Sequence, residues 1–141
     1  MQKQLQNKTE IDWVNTLFLT STPLIAIILS FFYFKTHGIE WSQILLAIAF
    51  YFITGIAITA GYHRLLSHRT YKASVLVEFL YLIFGAAAFQ NSALKWCSDH
   101  RIHHRHVDHE KDPYNINKGF FWAHMGWIFY KDNNDMAHYP K

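Results

Sequence analysis

DHRIHHRHVDHEKDP, from Asp99 to Pro113, carries five of the ten histidines of the chain. His100, His103 and His104 stand at i, i+3 and i+4, which on a helix of ~100° per residue places three imidazoles on one face. That is the geometry of a ligand set, flanked by Arg101 and Arg105. The competing reading is a histidine-rich surface or storage tract. A second pair, His63 and His68 in GYHRLLSHRT, closes a long apolar run. Five residues apart, they are ~140° around and ~7.5 Å along an ideal helix, so they converge only if the helix ends or unwinds between them. The rest of the chain reads as the means of bringing these two groups together at a membrane surface.

Working outward, Trp13 to Phe34 and Trp41 to Tyr62 are free of charged residues. Each is long enough at ~1.5 Å per residue to cross a hydrocarbon core of ~30 Å. Pro23 is tolerable in such a span. A signal peptide would have an apolar core of ~7 to 15 residues and a small-residue cleavage site, and FFYFKTHG does not resemble one. The turn KTHGIE, Lys35 to Glu40, is short, so the two spans are expected to form an antiparallel hairpin. Ala47, Ala49, Gly55, Ala57, Ala60 and Gly61 recur along the second, as in helices that pack closely in lipid. Lys3, Lys8, Arg64, Arg69 and Lys72 flank one side against Lys35 on the other, which predicts that the common side is cytoplasmic.

Val75 to Leu94 has a membrane-like length, but Glu78, Gln90 and Asn91 interrupt it. One crossing there would put the two histidine groups on opposite faces of the bilayer. If they share a metal centre, this block must stay on the cytoplasmic side or dip in and return, with Glu78 at its wet edge. Asn115 to Lys118 reads as a loop. Gly119 to Tyr130, GFFWAHMGWIFY, reads as a helix in the headgroup region or, equally, as the core helix of a cytosolic cap. The expectation is an all-α integral membrane chain. A polar N-terminus (1–12), two transmembrane helices (13–34 and 41–62), a cytoplasmic and interfacial histidine region (63–130) and a polar tail (131–141) make up one domain portion.

At 141 residues the chain has the length of one domain, 51% hydrophobic, with a formal charge of +3. Its basic residues gather around the histidines rather than form a nucleic-acid footprint, which argues against nucleic acid as a partner. A single cysteine, Cys97, excludes an internal disulfide and thiolate zinc sites. Any metal is therefore held by nitrogen and oxygen. His37 and His138 read as solvated residues, and His124 has no partner in the sequence.

HRLLSH (His63 to His68) and HRIHH (His100 to His104) resemble the first two histidine boxes of the membrane-bound fatty acid desaturases. AFQNSALKWCSDHRIHHRHVDHEKDPYN and GFFWAHMGW are similar to the acyl-CoA Δ9 (stearoyl-CoA) branch, and the similarity runs from about Trp41 to Tyr130. The resemblance implies two iron ions ligated by His63, His68, His100, His103 and His104. That centre would use O2 and external electrons, from a cytochrome b5-like or ferredoxin-type donor, to desaturate a fatty acyl chain drawn from membrane lipid surroundings. Gln90 and Trp96 match positions that shape the bend of the acyl tunnel, and Asp99 a position near the thioester end. Ser98 departs from the arginine of the animal acyl-CoA enzymes, which leaves the carrier, CoA or another acyl donor, open.

Imidazole suits several transition metals, so the ligand type does not select iron; the family does. No Glu-x-x-His pair is present, unlike the carboxylate-bridged di-iron bundles. Each ligating imidazole needs its other N–H oriented, and Asp99, Asp108 and Asp112 are close enough in sequence to do so. His106 and His109 are candidates for the same shell or for facing substrate. The family also has four spans and a third box of HxxHH type, absent here, so the expectation is an N-terminal portion inactive by itself. Two alternatives remain: a related membrane di-iron hydroxylase or oxygenase, and a non-catalytic membrane metal-binding protein. The last should carry His or Asp within its spans, and neither span does.

Overall fold

The computed structural model describes residues 10–131. The polar ends beyond them, with Lys3, Lys8 and His138, lie outside the described residues. The described chain is all α apart from one isolated antiparallel bridge, Ile11 to Tyr130.

Helix α1, Trp13–His37, starts on Asp12, whose carboxylate accepts the Asn15 N–H at 3.0 Å. It runs three residues past the expected Phe34, because the Thr36 hydroxyl donates back to the Phe32 and Tyr33 carbonyls and His37 stacks on Tyr33. Gly38 ends it at φ 76°, a conformation that favours glycine. Helix α2, Trp41–Ile56, opens with a capping box between Glu40 and Gln43. The Gln43 amide donates to the Tyr33 hydroxyl at 3.1 Å, so the chain has reversed across the turn.

Beyond Ile56 the same rod continues to Ser67 as a π-helix, Ala57–Ser67, rather than stopping at Tyr62. α1 and the rod Trp41–Ser67 are each long and apolar enough to cross a membrane. α3, Val75–Ala87, is capped by Ser74 and carries Glu78 in its first turn, where a carboxylate suits the helix dipole. Its 13 residues span ~20 Å, short of a bilayer core. The chain leaves it through Phe89 and Asn91, both at positive φ, and enters α4, Ala93–His106, capped by Ser92. The two histidine groups thus meet across a helix shorter than a membrane span.

The remainder departs from the sequence reading. Ile116–Lys118 is a 3-10 turn capped by Asn115. The expected single helix over Gly119 to Tyr130 is two pieces, α5 at Phe120–His124 and a 3-10 turn at Gly126–Phe129. Met125 breaks them at φ −150°, and Gly126 packs so tightly on Phe121 that a Cβ there would meet its carbonyl at 3.1 Å.

The buried apolar residues, Ala57, Ile58, Tyr62, Leu65 and Cys97, gather where the π-helix, α3 and α4 meet. Two glycines allow that contact. A Cβ on Gly61 would lie 2.7 Å from the Tyr81 Cβ, and one on Gly85 would strike the Tyr62 ring.

Candidate metal centre

Four of the box histidines are drawn from two elements. The π-helix supplies His63 and, as its C-terminal cap, His68, whose N–H donates to the His63 carbonyl at 3.0 Å. That i to i+5 bond is the π-helical repeat, and it stacks the two residues on one face, where an α-helix would separate them. α4 supplies His100 and His104, one turn apart. The His63 and His68 Nε2 atoms are 3.2 Å apart, His68 and His100 Nε2 3.0 Å, and His100 and His104 Nε2 3.0 Å. One ligating nitrogen from each of the four lies within 4.8 Å of all the others.

A neutral imidazole has one N–H and one lone pair, so four Nε2 atoms facing one another are not satisfied by mutual hydrogen bonds. A cation among them satisfies all four. Nitrogens on one metal at ~2.1 Å stand about 3.0 to 3.4 Å apart, which matches the three successive Nε2 spacings along the group. The donor set therefore fits a metal ion. His100 is held neutral, its pKa lowered to about 4 by burial first and then by the neighbouring histidines His63, His104, His68 and His103. Its ring stacks on Trp96, centroids 5.0 Å apart and 26° between planes. Its Nδ1 lies 3.5 Å from the Tyr114 hydroxyl, a partner suited to the Nδ1–H tautomer that frees Nε2 for a metal.

His103 stands apart from the four. As the neighbour of His104 it points ~100° away around α4, and its Nδ1 lies 2.9 Å from both carboxylate oxygens of Asp112. Asp112 is fully buried and also accepts the backbone N–H of Asp108 at 2.9 Å and of Tyr114 at 3.2 Å. A carboxylate so held fixes the His103 tautomer and leaves its Nε2 as a lone pair. The Tyr114 ring packs against His103, centroids 4.4 Å apart. Burial, with Asp112 and Asp99 nearby, raises the Tyr114 pKa, so the phenol stays protonated.

The other candidates are placed differently. Asp99 is buried and takes the Lys95 ammonium at 2.8 Å. Asp108 enters through its backbone, donating to Asp112 and accepting the Asn117 amide. His106 and His109 shape the loop through their carbonyls, which accept from His109 N–H and from Asn115 and Asp112 respectively. Neither joins the four-nitrogen group. The Trp96 indole donates to Gln90 at 3.1 Å, so those two residues form one unit against His100 and His63. Sequence reasoning missed Tyr114. Its only signal is its place two residues after Asp112, where the turn returns to the histidines.

No family model matches the chain. Individual relatives do. It is 43% identical over 123 residues to the "Probable acyl-CoA desaturase" of Schizosaccharomyces pombe, covering 87% of this chain and 25% of that one. It is 39% identical over 124 residues to the sn-1 stearoyl-lipid 9-desaturase of Anabaena variabilis, covering 87% and 44%. With the acyl-CoA Delta(11) desaturase of Trichoplusia ni it shares 36% identity over 129 residues, covering 92% and 37%. The chain therefore spans between a quarter and under half of the length of these curated relatives.

Proposed function

Because the chain is a homologue, over most of its length, of the membrane acyl desaturases, we propose that it carries part of the di-iron centre of a fatty acyl Δ9 desaturase. The observation that supports this most is the convergence of the His63, His68, His100 and His104 nitrogens from two separate elements. In this reading those four and His103 are iron ligands. Iron bound there would supply reductive activation of O2, so that two hydrogens from C–H bonds, two external electrons and two protons reduce it to two waters and leave a cis double bond.

The chain's own residues do the rest. Asp112 aims His103 through Nδ1, and Tyr114 does so for His100. Trp96, tied to Gln90, covers one flank of the imidazoles and would lie against the acyl chain, keeping water from the reacting carbons. His68 and His104 are exposed, and this is the side open to ligands from elsewhere in a longer protein, where the family has its third box. α1 and the Trp41–Ser67 rod would hold the site at a bilayer, histidines on the cytoplasmic face, where an acyl-CoA or acyl-lipid substrate is dissolved. The carrier and the electron donor, cytochrome b5-like or ferredoxin-type, follow from the same resemblance.

Two measurements test the reading. The 141-residue chain, purified in mild detergent and loaded anaerobically with Fe(II), is expected to retain stoichiometric iron that His100→Ala removes; trace iron indifferent to that change overturns the metal assignment. A protein that carries this chain, expressed in a desaturase-deficient host, is expected to yield Δ9-unsaturated acyl chains; hydroxylated chains instead would move it to the related oxygenases.

A further inference from the structure

The π-helix is long for its kind. Such winding is rare and usually limited to a single turn, because i to i+5 bonds are poorer than the α-helical ones. Here it runs for 11 residues, Ala57–Ser67. Around His63 the carbonyls of this segment take donors from outside the regular repeat. Ala60 accepts the Tyr71 hydroxyl at 2.8 Å. Tyr62 accepts the Ser67 hydroxyl at 2.8 Å and, more weakly, the Cys97 thiol at 3.4 Å. Arg64 accepts both the backbone N–H and the hydroxyl of Thr70, at 3.0 and 3.1 Å. Beside Tyr71, α3 presses Tyr81 onto Gly61, leaving no space for a Cβ.

These donors bracket the residue whose register matters. Returning the segment to α-helical winding would rotate His63 and His68 ~140° apart and dissolve the four-nitrogen group. We propose that Tyr71 and Ser67 are positioning residues for the metal centre: their hydroxyls hold the Ala60 and Tyr62 carbonyls in the π-helical arrangement that sets His63 and His68 on one face. Neither side chain touches the imidazole nitrogens. The inference rests on the metal-site reading above for its consequence, but the winding itself is a property of the metal-free chain.

The test uses Ser67→Ala combined with Tyr71→Phe, with Ser67→Thr as the variant that keeps a hydroxyl. Co(II) alone is the probe, titrated into the whole chain in detergent and followed by its absorption. Hydrogen exchange of residues 57–70 is read in the metal-free protein. The double variant is expected to bind Co(II) about 10-fold or more weakly and to exchange faster across 57–70. Its overall helix content should be unchanged by circular dichroism, and Ser67→Thr should keep most of the affinity. Unchanged affinity in a folded double variant overturns the proposal, as does equal exchange. If the unsubstituted chain takes up no Co(II), the metal reading fails by itself, and the exchange data still decide the winding: faster exchange in the double variant upholds it, equal exchange overturns it.

Discussion

The two long apolar helices and the junction around the histidines are built on opposite plans. No residue of α1 or of Trp41–Ile56 is buried, although these belong to the longest apolar stretches of the described chain. The buried apolar set lies instead at the meeting of the π-helix, α3 and α4, and the buried polar residues Ser98, Asp99, Asp112 and Asn115 lie along α4 and in the loop that follows it. Hydrophobicity here marks the surface offered to lipid, and burial marks where polar groups are held in place. Close packing is correspondingly local: a Cβ on Gly61 or Gly85 meets an aromatic residue, while one on Gly55 in α2 finds nothing within 4 Å.

The sharpest way to break this contrast is at Asp112. Asp112→Ala strips the acceptor from His103 and from two backbone N–H groups, and is expected to cost on the order of 3 kcal/mol in unfolding free energy. It should also weaken metal uptake by about 10-fold or more. Both are measured on the detergent-solubilised chain by denaturant titration and elemental analysis. Asp12→Ala, which removes only the cap of exposed α1, is expected to cost about 1 kcal/mol and to leave metal uptake alone.

Next come the glycines. Gly85→Ala drives a methyl into the buried Tyr62 ring and is expected to lower stability by about 1 to 3 kcal/mol. Gly55→Ala enters open space within a helix and is expected to raise it by roughly 0.5 to 1 kcal/mol. Equal effects at the two sites would show that the junction is not the packed part of the molecule.

The junction is also where acid should act. The pKa of His100 in the folded chain is about 4, below its ordinary value of 6.5. Between those limits the unfolded chain binds the proton and the folded one does not, so His100 contributes stability that is full above about 6.5 and falls as pH drops toward 4. Thermal unfolding of the metal-free chain across that range is expected to show this slope, with a shallower one in His100→Ala. The smallest effect belongs to Lys131 and Glu10, an exposed ion pair at 3.0 Å. Lys131→Ala should change unfolding free energy by less than about 1 kcal/mol.

Much of the fold was legible because its signals are local. Charge-free runs around a short turn specify two long helices, and the spacing of four gives His100 and His104 one helical face, whereas His103, read as a third member of that face, turns toward Asp112. The requirement that two histidine groups share a site argued against a crossing in Val75 to Leu94, and α3, ending at Ala87, is shorter than a spanning helix. The limit of that reasoning shows at Gly119 to Tyr130, where apolar content suggested one helix. Met125 leaves helical geometry there and the segment forms two pieces, with Gly126 packed on Phe121.

By itself, then, the sequence determined the long helices, the shared face of His100 and His104, and the family resemblance through its two histidine boxes. Only the tertiary structure decided how His63 and His68 come together, and which carboxylate serves which imidazole. A spacing of five has no common face on an α-helix; it acquires one through π-helical winding, whose freed carbonyls are met by Tyr71 and Cys97 from outside the segment. Asp99, Asp108 and Asp112 were equal candidates along the chain. The fold turns Asp112 inward onto His103 while Lys95 takes Asp99, a choice made by the loop's backbone bonds rather than by distance in sequence.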